Sequence, residues 1–487
     1  MKILVHKDDA EGAGIHDGDT VFVGWKELEL YARAVSTHTE IERGELGLFE
    51  DLWDVYNIPT DEIIGIRLID RPESIEYIKK KVLGKKLTEK ELKLIMKEMG
   101  NRKMKEVYVA FFLATFFNPG FDEDEVLWLT KGMAESGDIM SFRNVKGNGD
   151  MVVDKHSIGG VAGKGVTPTL VPVIAACDLV IPNTSTRAIT SPAGTSDILE
   201  VMMPVSLGID EVMEVVKKTG ACLIWGGGLA LAPADDVLIH VERGIHLESY
   251  QKVLVSIVAK KIAMGISHIV IDIPYGKGTK VESPEDVELL EREFLKLFEK
   301  VGIKCIVHKR IAIGPDGKGI GPNLETIEVL RILEQDDKKS KVLEDLSMEM
   351  AGKLLEMSGK AEEGKGVELA RSKLESGEAL KKFWEIAKAQ GAQKVVKSGD
   401  IELGKLTYDV KADFEGKIKL INNKRIVKIA RALGTPIVKE AGIQMHKMPG
   451  ENIKHGDLLM TLYARSDERL EAGKRMLDLE DLVDLAV

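Results

Sequence analysis

Residues 1 to about 75 alternate short apolar runs with turn residues, as in HDGDTVFVG (16–24) and EIIGIRLID (62–70). This period of two predicts a small all-β unit, barrel-like in class. The period then changes. TEKELKLIMKEMG (88–100) opens with a capping box, Thr88 to Glu91, and sets Leu92, Ile95, Met96 and Met99 on one helical face. DEDEVLWLTKGMAESG (122–137) repeats the design, so 80–140 reads as helical.

From about 150 the pattern becomes α/β. GDMVVDKHSIGG predicts a strand running into a glycine loop, VTPTLVPVIAACDLVIPNTS a buried helix followed by a strand, and HIVIDIPYGKG another strand ending in a glycine-rich loop. Polar loops near 155, 185 and 276 are therefore expected after strands, the ends at which open parallel sheets bind ligands. Residues 322–395 read as charged amphipathic helices, and β texture returns from 400.

The expected class is a multidomain α/β protein. Its divisions are a β domain at 1–77, a helical domain split between 78–146 and 235–262, a central α/β domain at 147–234 and 263–335, a helical connector at 336–400, and a C-terminal α/β domain containing a β-sandwich at 401–487. With 487 residues the chain exceeds one ordinary core. A net charge of −11 argues against a nucleic-acid-coating surface. Cys177, Cys222 and Cys305 are an odd number at wide spacings, which fits a reducing cytoplasm better than a disulfide framework. The start MKILVHKDDAEG lacks the apolar run of a signal peptide, and no membrane role is expected.

The most informative stretch is DKHSIGGVAGKG, residues 154–165. It fails as a nucleotide P-loop, because Ile158 and Gly165 stand where that motif needs Gly and Ser or Thr. The dinucleotide fingerprint fails as well, its spacing being reversed. What remains is an anion cradle: glycines free backbone N–H groups to face a phosphate, and a helix start beyond them adds positive potential. Lys155, His156 and Ser157 add a cation, an imidazole and a hydroxyl. NTSTRAITSPAGTSD (183–197) surrounds Arg187 with hydroxyls, a composition suited to a second phosphate or a sugar. In WGGGLALAPADD, Asp235 and Asp236 read as helix-capping residues. In LESYQKVLVSIVAKK, Ser256 and Lys260 share a helical face and Lys261 points to solvent. Lys277 and Lys280 in YGKGTKVES end a strand, where a cation can reach a ligand.

DKHSIGGV, LAPADD and SIVAKK together resemble the thymidine and pyrimidine nucleoside phosphorylase family, whose motifs read D-K-H-S-T-G-G, L-A-P-A-D and S-I-L-S-K-K. The resemblance runs from about 78 to the C-terminus, where FEGKIKLIN and GENIKHGDLL are similar to the family's last domain. The N-terminal extension and the loop TRAITSPAGT (186–195) are similar to archaeal-type AMP phosphorylases, which read S-R-A-I-T-S-A-A-G-T.

The resemblance implies an active site in a cleft between lobes, where inorganic phosphate would be held by Lys155, Ser157, Gly160, Thr167 and Thr195. The nucleotide would contact Gly160, Thr195 and the run Thr186, Arg187, Ala188, Ile189, Thr190 and Ser191. Ser256, Lys260 and Lys280 would also face it. The proton for the leaving base would come from Glu248 or Lys280; the AMP enzymes carry Asp where this chain has Glu248. The implied reaction is phosphorolysis of AMP, or a related nucleotide, to adenine and ribose 1,5-bisphosphate. It needs no cofactor and no metal, and a cytoplasmic homodimer or higher homo-oligomer is expected. A pyrimidine nucleoside phosphorylase, a phosphoribosyltransferase and a non-catalytic nucleotide sensor are the alternatives.

Overall fold

A computed structural model of the chain describes all residues except 27, 50–57, 70, 144, 146–150, 189–190, 230, 246–248 and 487. The chain divides into two compact units, Met1–Ile139 with Leu231–Ala263, and Met140–Ala230 with Met264–Val487.

In the first unit, strands β1 (Lys2–His6), β2 (Thr20–Trp25), β3 (Leu28–Thr37), β4 (Leu46–Leu48) and β5 (Gly65–Leu68) form one sheet in the order β4-β1-β3-β2-β5. Alternation decides which face is buried: Val21 and Val23 point in with Leu30, Ala32 and Ala34 from the paired strand. The N-terminal part of this unit is not all-β, because a short helix, Lys7–Gly12, follows β1, with the His6 side chain accepting from the Asp8 N–H at 3.3 Å; nor is it barrel-like, since among the described residues β4 and β5 are unpaired edges of an open sheet.

Helices Ser74–Val82, Glu89–Gly100, Glu106–Ala114 and Glu123–Ala134 follow, and Pro233–Ile245 and Tyr250–Ala263 return to share their core. The Thr88–Glu91 capping box forms, and Leu92, Ile95, Met96 and Met99 are fully buried. A second box joins Asp122 and Glu125. Glu125 also pairs with buried Lys81 at 2.7 Å and accepts the Leu87 N–H.

In the second unit, β6 (Val153–Ser157), β7 (Ile181–Ser185), β8 (Ala221–Trp225), β9 (His268–Tyr275) and β10 (Lys304–Ile311) are all parallel. Ladders join β10-β9-β6 and β7-β8, and a Val152–Val180 bridge links the two sets. The lateral order is therefore β10-β9-β6-β7-β8. From β6 the chain moves outward through β7 and β8, then jumps back to lay β9 on the other side of β6. The order reverses between β6 and β9, the topological position at which open α/β sheets bind ligands.

Helix Val166–Ala176 is buried from Val166 to Ala175 and lies in the core of this unit. Helices Lys341–Met357, Gly366–Glu375 and Glu378–Ala389 bury Leu354, Leu374 and Phe383 in the same core. Helix Pro322–Glu334 departs from the amphipathic expectation, since Glu325, Thr326 and Glu328 are buried along with its apolar residues. The C-terminal part holds β11 (Gly319–Ile320), β12 (Leu406–Lys411), β13 (Gly416–Ile421), β14 (Gly442–Met445), β15 (Asn452–Ile453), β16 (Leu458–Ala464) and β17 (Val483–Leu485). They form two small sheets, β11-β14-β16-β12 and β15-β13-β17. Among the described residues no helix is long and apolar enough to cross a membrane.

Candidate active site

The glycine loop leaves the sheet at the order reversal. Lys155, His156 and Ser157 lie within β6 itself, and the loop begins at Ile158, later than the sequence suggests. Pairing of β6 with β9 sets Ser157 opposite Asp272, and the Ser157 hydroxyl donates to Asp272 Oδ2 at 2.8 Å. The Gly159 N–H reaches Ser157 Oγ at 3.3 Å, starting the turn.

Two glycines are required by close approach as well as by backbone conformation. Gly160 has φ +97°, and a Cβ there would lie 2.5 Å from the Lys280 backbone nitrogen. Gly163 has φ +75°, and its Cβ would lie 2.6 Å from the Gly317 nitrogen. The loop is also pinned by hydrogen bonds. Ala162 N–H donates to Asn423 Oδ1 at 3.0 Å, Lys164 N–H to Glu325 Oε2 at 2.7 Å, and Ala162 carbonyl accepts from Asp316 N–H at 3.0 Å. Beyond it starts helix Val166–Ala176, with Thr167 buried in its first turn.

The charges beneath the loop form a network. Arg310 on β10 bonds Asp272 at 2.9 Å and both oxygens of Asp316 at 2.7 and 2.8 Å. Burial works to raise the Asp272 carboxyl, but Arg310 and Lys155 outweigh it and hold the group below the usual carboxylate range. Lys155 is 5 % exposed, and desolvation pushes its ammonium down, against the pull of Asp272. Lys164 is likewise pushed down by burial. Lys280 is exposed at the end of the β9 loop, and Lys277, also exposed, pairs with Asp484 at 2.8 Å.

The hydroxyl loop folds on itself after β7. Asp197 accepts the N–H groups of Ala188 and Gly194, both at 2.7 Å, and Ser185 Oγ meets Ser196 Oγ at 2.8 Å. Ser191 Oγ donates to the Ala193 carbonyl at 2.9 Å. Thr186 closes the loop through its carbonyl, which accepts the Ser196 N–H at 3.4 Å, and Thr195 opens helix Thr195–Leu199. Arg187 pairs with Glu200 and lies 4.1 Å from the centroid of the Trp225 ring. Ile189 and Thr190 lie outside the described residues.

In the first unit, Ser256 and Lys260 do share a face, and what they share is Asp235. Ser256 Oγ donates to Asp235 Oδ2 at 2.6 Å, Lys260 Nζ approaches it at 2.7 Å, and Lys252 stands 3.5 Å from Oδ1. Asp235 is fully buried, so the capping reading is corrected: it lies in the first turn of helix Pro233–Ile245 but anchors a charge cluster. Burial alone would raise its carboxyl; Lys260 and Lys252 bring it down to about 2. Neighbouring Asp236 is pushed up to about 6, mainly by burial. Lys261, expected at the surface, is completely buried. Glu248 lies outside the described residues.

Asp272, Arg310 and Asp316 were not singled out by motif, and Asp235 was read only as a helix cap. Two carried a signal: Asp272 interrupts the apolar strand HIVIDIPY, and Asp235 stands three and six residues before Leu238 and Val241, on the buried face. A charge at such a position requires a partner.

These features coincide with known families. The helical bundle domain of a glycosyl transferase family matches residues 75–137, that family's a/b domain matches 149–380, and the pyrimidine nucleoside phosphorylase C-terminal domain matches 417–478. The class is thus a glycosyl transferase with a phosphorylase-type C-terminal domain. An AMP phosphorylase from Pyrococcus furiosus is 40% identical over 97% of this chain and 92% of its own length. AMP phosphorylase 1 from Archaeoglobus fulgidus is 38% identical over 98% of this chain and 93% of its own. The chain belongs to the family of these enzymes. Anthranilate phosphoribosyltransferase from Thermus thermophilus shares the fold, with a TM-score of 0.53 at 20% identity over 64% of this chain and 98% of that one.

Proposed function

We propose that this protein cleaves AMP by phosphorolysis, transferring the 5-phosphoribosyl group from adenine to inorganic phosphate. The C1′–N bond breaks, a C1′–O bond to phosphate forms, adenine leaves with a proton, and ribose 1,5-bisphosphate is the second product. The observation that carries this is the glycine loop at the β6/β9 order reversal, with buried Lys155 and an anchored Ser157, in a chain similar over nearly its whole length to AMP phosphorylases.

Positive charge builds on the ribose as the bond breaks, so catalysis needs phosphate fixed close to C1′ and a proton for the base. In this reading Lys155, Ser157, the Gly160 turn, Thr167 and Thr195 hold inorganic phosphate. Thr186 to Ser191 take the nucleotide, with Arg187 on its 5′-phosphate. Ser256 and Lys260, fixed by Asp235, take the base side, and Glu248 or Lys280 supplies the proton.

We also propose that the protein works in the cytoplasm as a homo-oligomer. Three free thiols, Cys177, Cys222 and Cys305, support the first. Val107 and Phe111, one turn apart and each more than half exposed on helix Glu106–Ala114, support the second. We further propose a division into 1–77, 78–146 with 235–262, 147–234 with 263–335, 336–400 and 401–487, in which the helices of 336–400 share the central core.

A pyrimidine nucleoside phosphorylase is the second reading, favoured by the engagement of Arg187 with Glu200, against which a 5′-phosphate must compete. Initial rates with AMP, adenosine and uridine at saturating phosphate separate the two. AMP as the best substrate supports the first, and uridine or adenosine as the best supports the second.

A further inference from the structure

Lys164 lies in the glycine loop, and no motif assigns it a role. Its Nζ stands 3.6 Å from where a Gly159 Cβ would be, and Lys280 Cε stands 4.0 Å from the same point. Two lysines therefore reach the turn whose N–H is tied to Ser157.

The carboxylates near Lys164 are already engaged. Glu325 accepts the Gly321 N–H at 3.1 Å and the Lys164 backbone N–H at 2.7 Å, one bond to each oxygen. Burial also pushes Glu325 up to about 7, so near neutral pH it supplies only part of a negative charge. Both oxygens of Asp316 go to Arg310. Among the described residues, the Lys164 ammonium makes no ion pair or hydrogen bond; it is desolvated, drawn by Glu325 and, less, by Asp316, and repelled by Lys280 and Lys155. A half-buried ammonium that has two like charges beside it and bonds no carboxylate directly is unfavourable unless an anion completes it.

We propose that Lys164 is a second cationic ligand of the inorganic phosphate, binding it at the Gly159 turn together with Lys155. The assignment rests on the phosphorolytic reading of the glycine loop and adds to it a specificity for a doubly charged oxyanion. The Lys164 backbone is fixed by its N–H bond to Glu325, and from there its Nζ lies beside the turn at Gly159.

The test is calorimetric titration of inorganic phosphate into the full chain without nucleotide, for wild type, Lys164→Met and Lys164→Arg. Lys164→Met should weaken phosphate on the order of tenfold to a hundredfold, the loss of one charge-assisted bond. Lys164→Arg should recover much of that, and the KM for AMP should stay within about twofold while the KM for phosphate rises. Unchanged phosphate affinity in folded Lys164→Met, or a rise in the AMP KM instead, overturns the assignment. If Lys164→Met does not fold, acetic anhydride labelling of the wild type decides: phosphate must shield Lys164 severalfold, and equal labelling with and without phosphate overturns the assignment. Both binding measurements proceed whether or not AMP is the substrate, so they can fail separately from that reading.

Discussion

Ser157 at the end of β6 donates a hydrogen bond from its hydroxyl to Asp272 of the adjacent strand β9, at 2.8 Å. The bond spans the strand pair at which the order of this parallel sheet reverses, and so ties the start of the glycine loop to the centre of the sheet. Asp272 is 1 % exposed and also bonds Arg310. Removing it leaves that guanidinium under-compensated. Asp272→Ala should destabilise the protein by about 3–5 kcal/mol in urea unfolding, as when one partner of a buried pair is deleted. Asp272→Asn, which keeps the shape, should lose less stability and raise the KM for phosphate more than the KM for AMP. Equal KM effects would mean that the network is only structural.

Stability should depend on pH through Glu325. Its carboxyl rises from 4.5 to about 7, mainly by burial, with the Gly321 and Lys164 N–H groups opposing the shift. A group that holds its proton more tightly when folded contributes stability below its unfolded pKa, and that contribution disappears as pH rises through the folded one. Over pH 4.5 to 7 this amounts to about 3 kcal/mol. Urea midpoints for wild type and Glu325→Gln should therefore diverge in slope across this window, the wild type falling more steeply with rising pH. Parallel curves would show that Glu325 does not titrate there.

Much of this architecture was legible in local pattern. The Thr88–Glu91 box and the spacing of Leu92, Ile95, Met96 and Met99 depend on residues within one helix, and both form. The shared face of Ser256 and Lys260 follows from helix geometry alone, but Asp235, which they meet, lies 21 residues from Ser256. Asp272 is 115 residues from Ser157. Such partners are fixed by strand order and helix docking, which short-range periodicity does not encode. The same limit explains Lys261: its neighbours along the chain suggested solvent, while packing buries it completely. Helix Lys7–Gly12 was missed because six polar and small residues carry no apolar period.

Arg187 tests how the 5′-phosphate is recognised. The guanidinium lies over Trp225 and pairs with Glu200, which fixes its plane. If its remaining donors meet the 5′-phosphate, Arg187→Ala should raise the KM for AMP on the order of a hundredfold and leave adenosine nearly unaffected. Equal losses for both would assign Arg187 a purely structural role.

Proton delivery separates Glu248 from Lys280. General acid catalysis contributes roughly 10² to 10⁴-fold. Glu248→Gln should reduce kcat for AMP on that scale and abolish the corresponding limb of the pH–rate profile. A near-wild-type rate in Glu248→Gln, combined with a large loss in Lys280→Met, would move the proton to Lys280.

In the proposed phosphorolysis the anion in the glycine loop is the nucleophile. Adenine release from AMP should be followed with and without inorganic phosphate, using ³¹P NMR to identify the sugar product, for wild type and Lys155→Ala. Release should require phosphate, yield ribose 1,5-bisphosphate in equal amount, and fall on the order of a hundredfold in Lys155→Ala. Adenine released at the same rate without phosphate, with ribose 5-phosphate as the product, would contradict it.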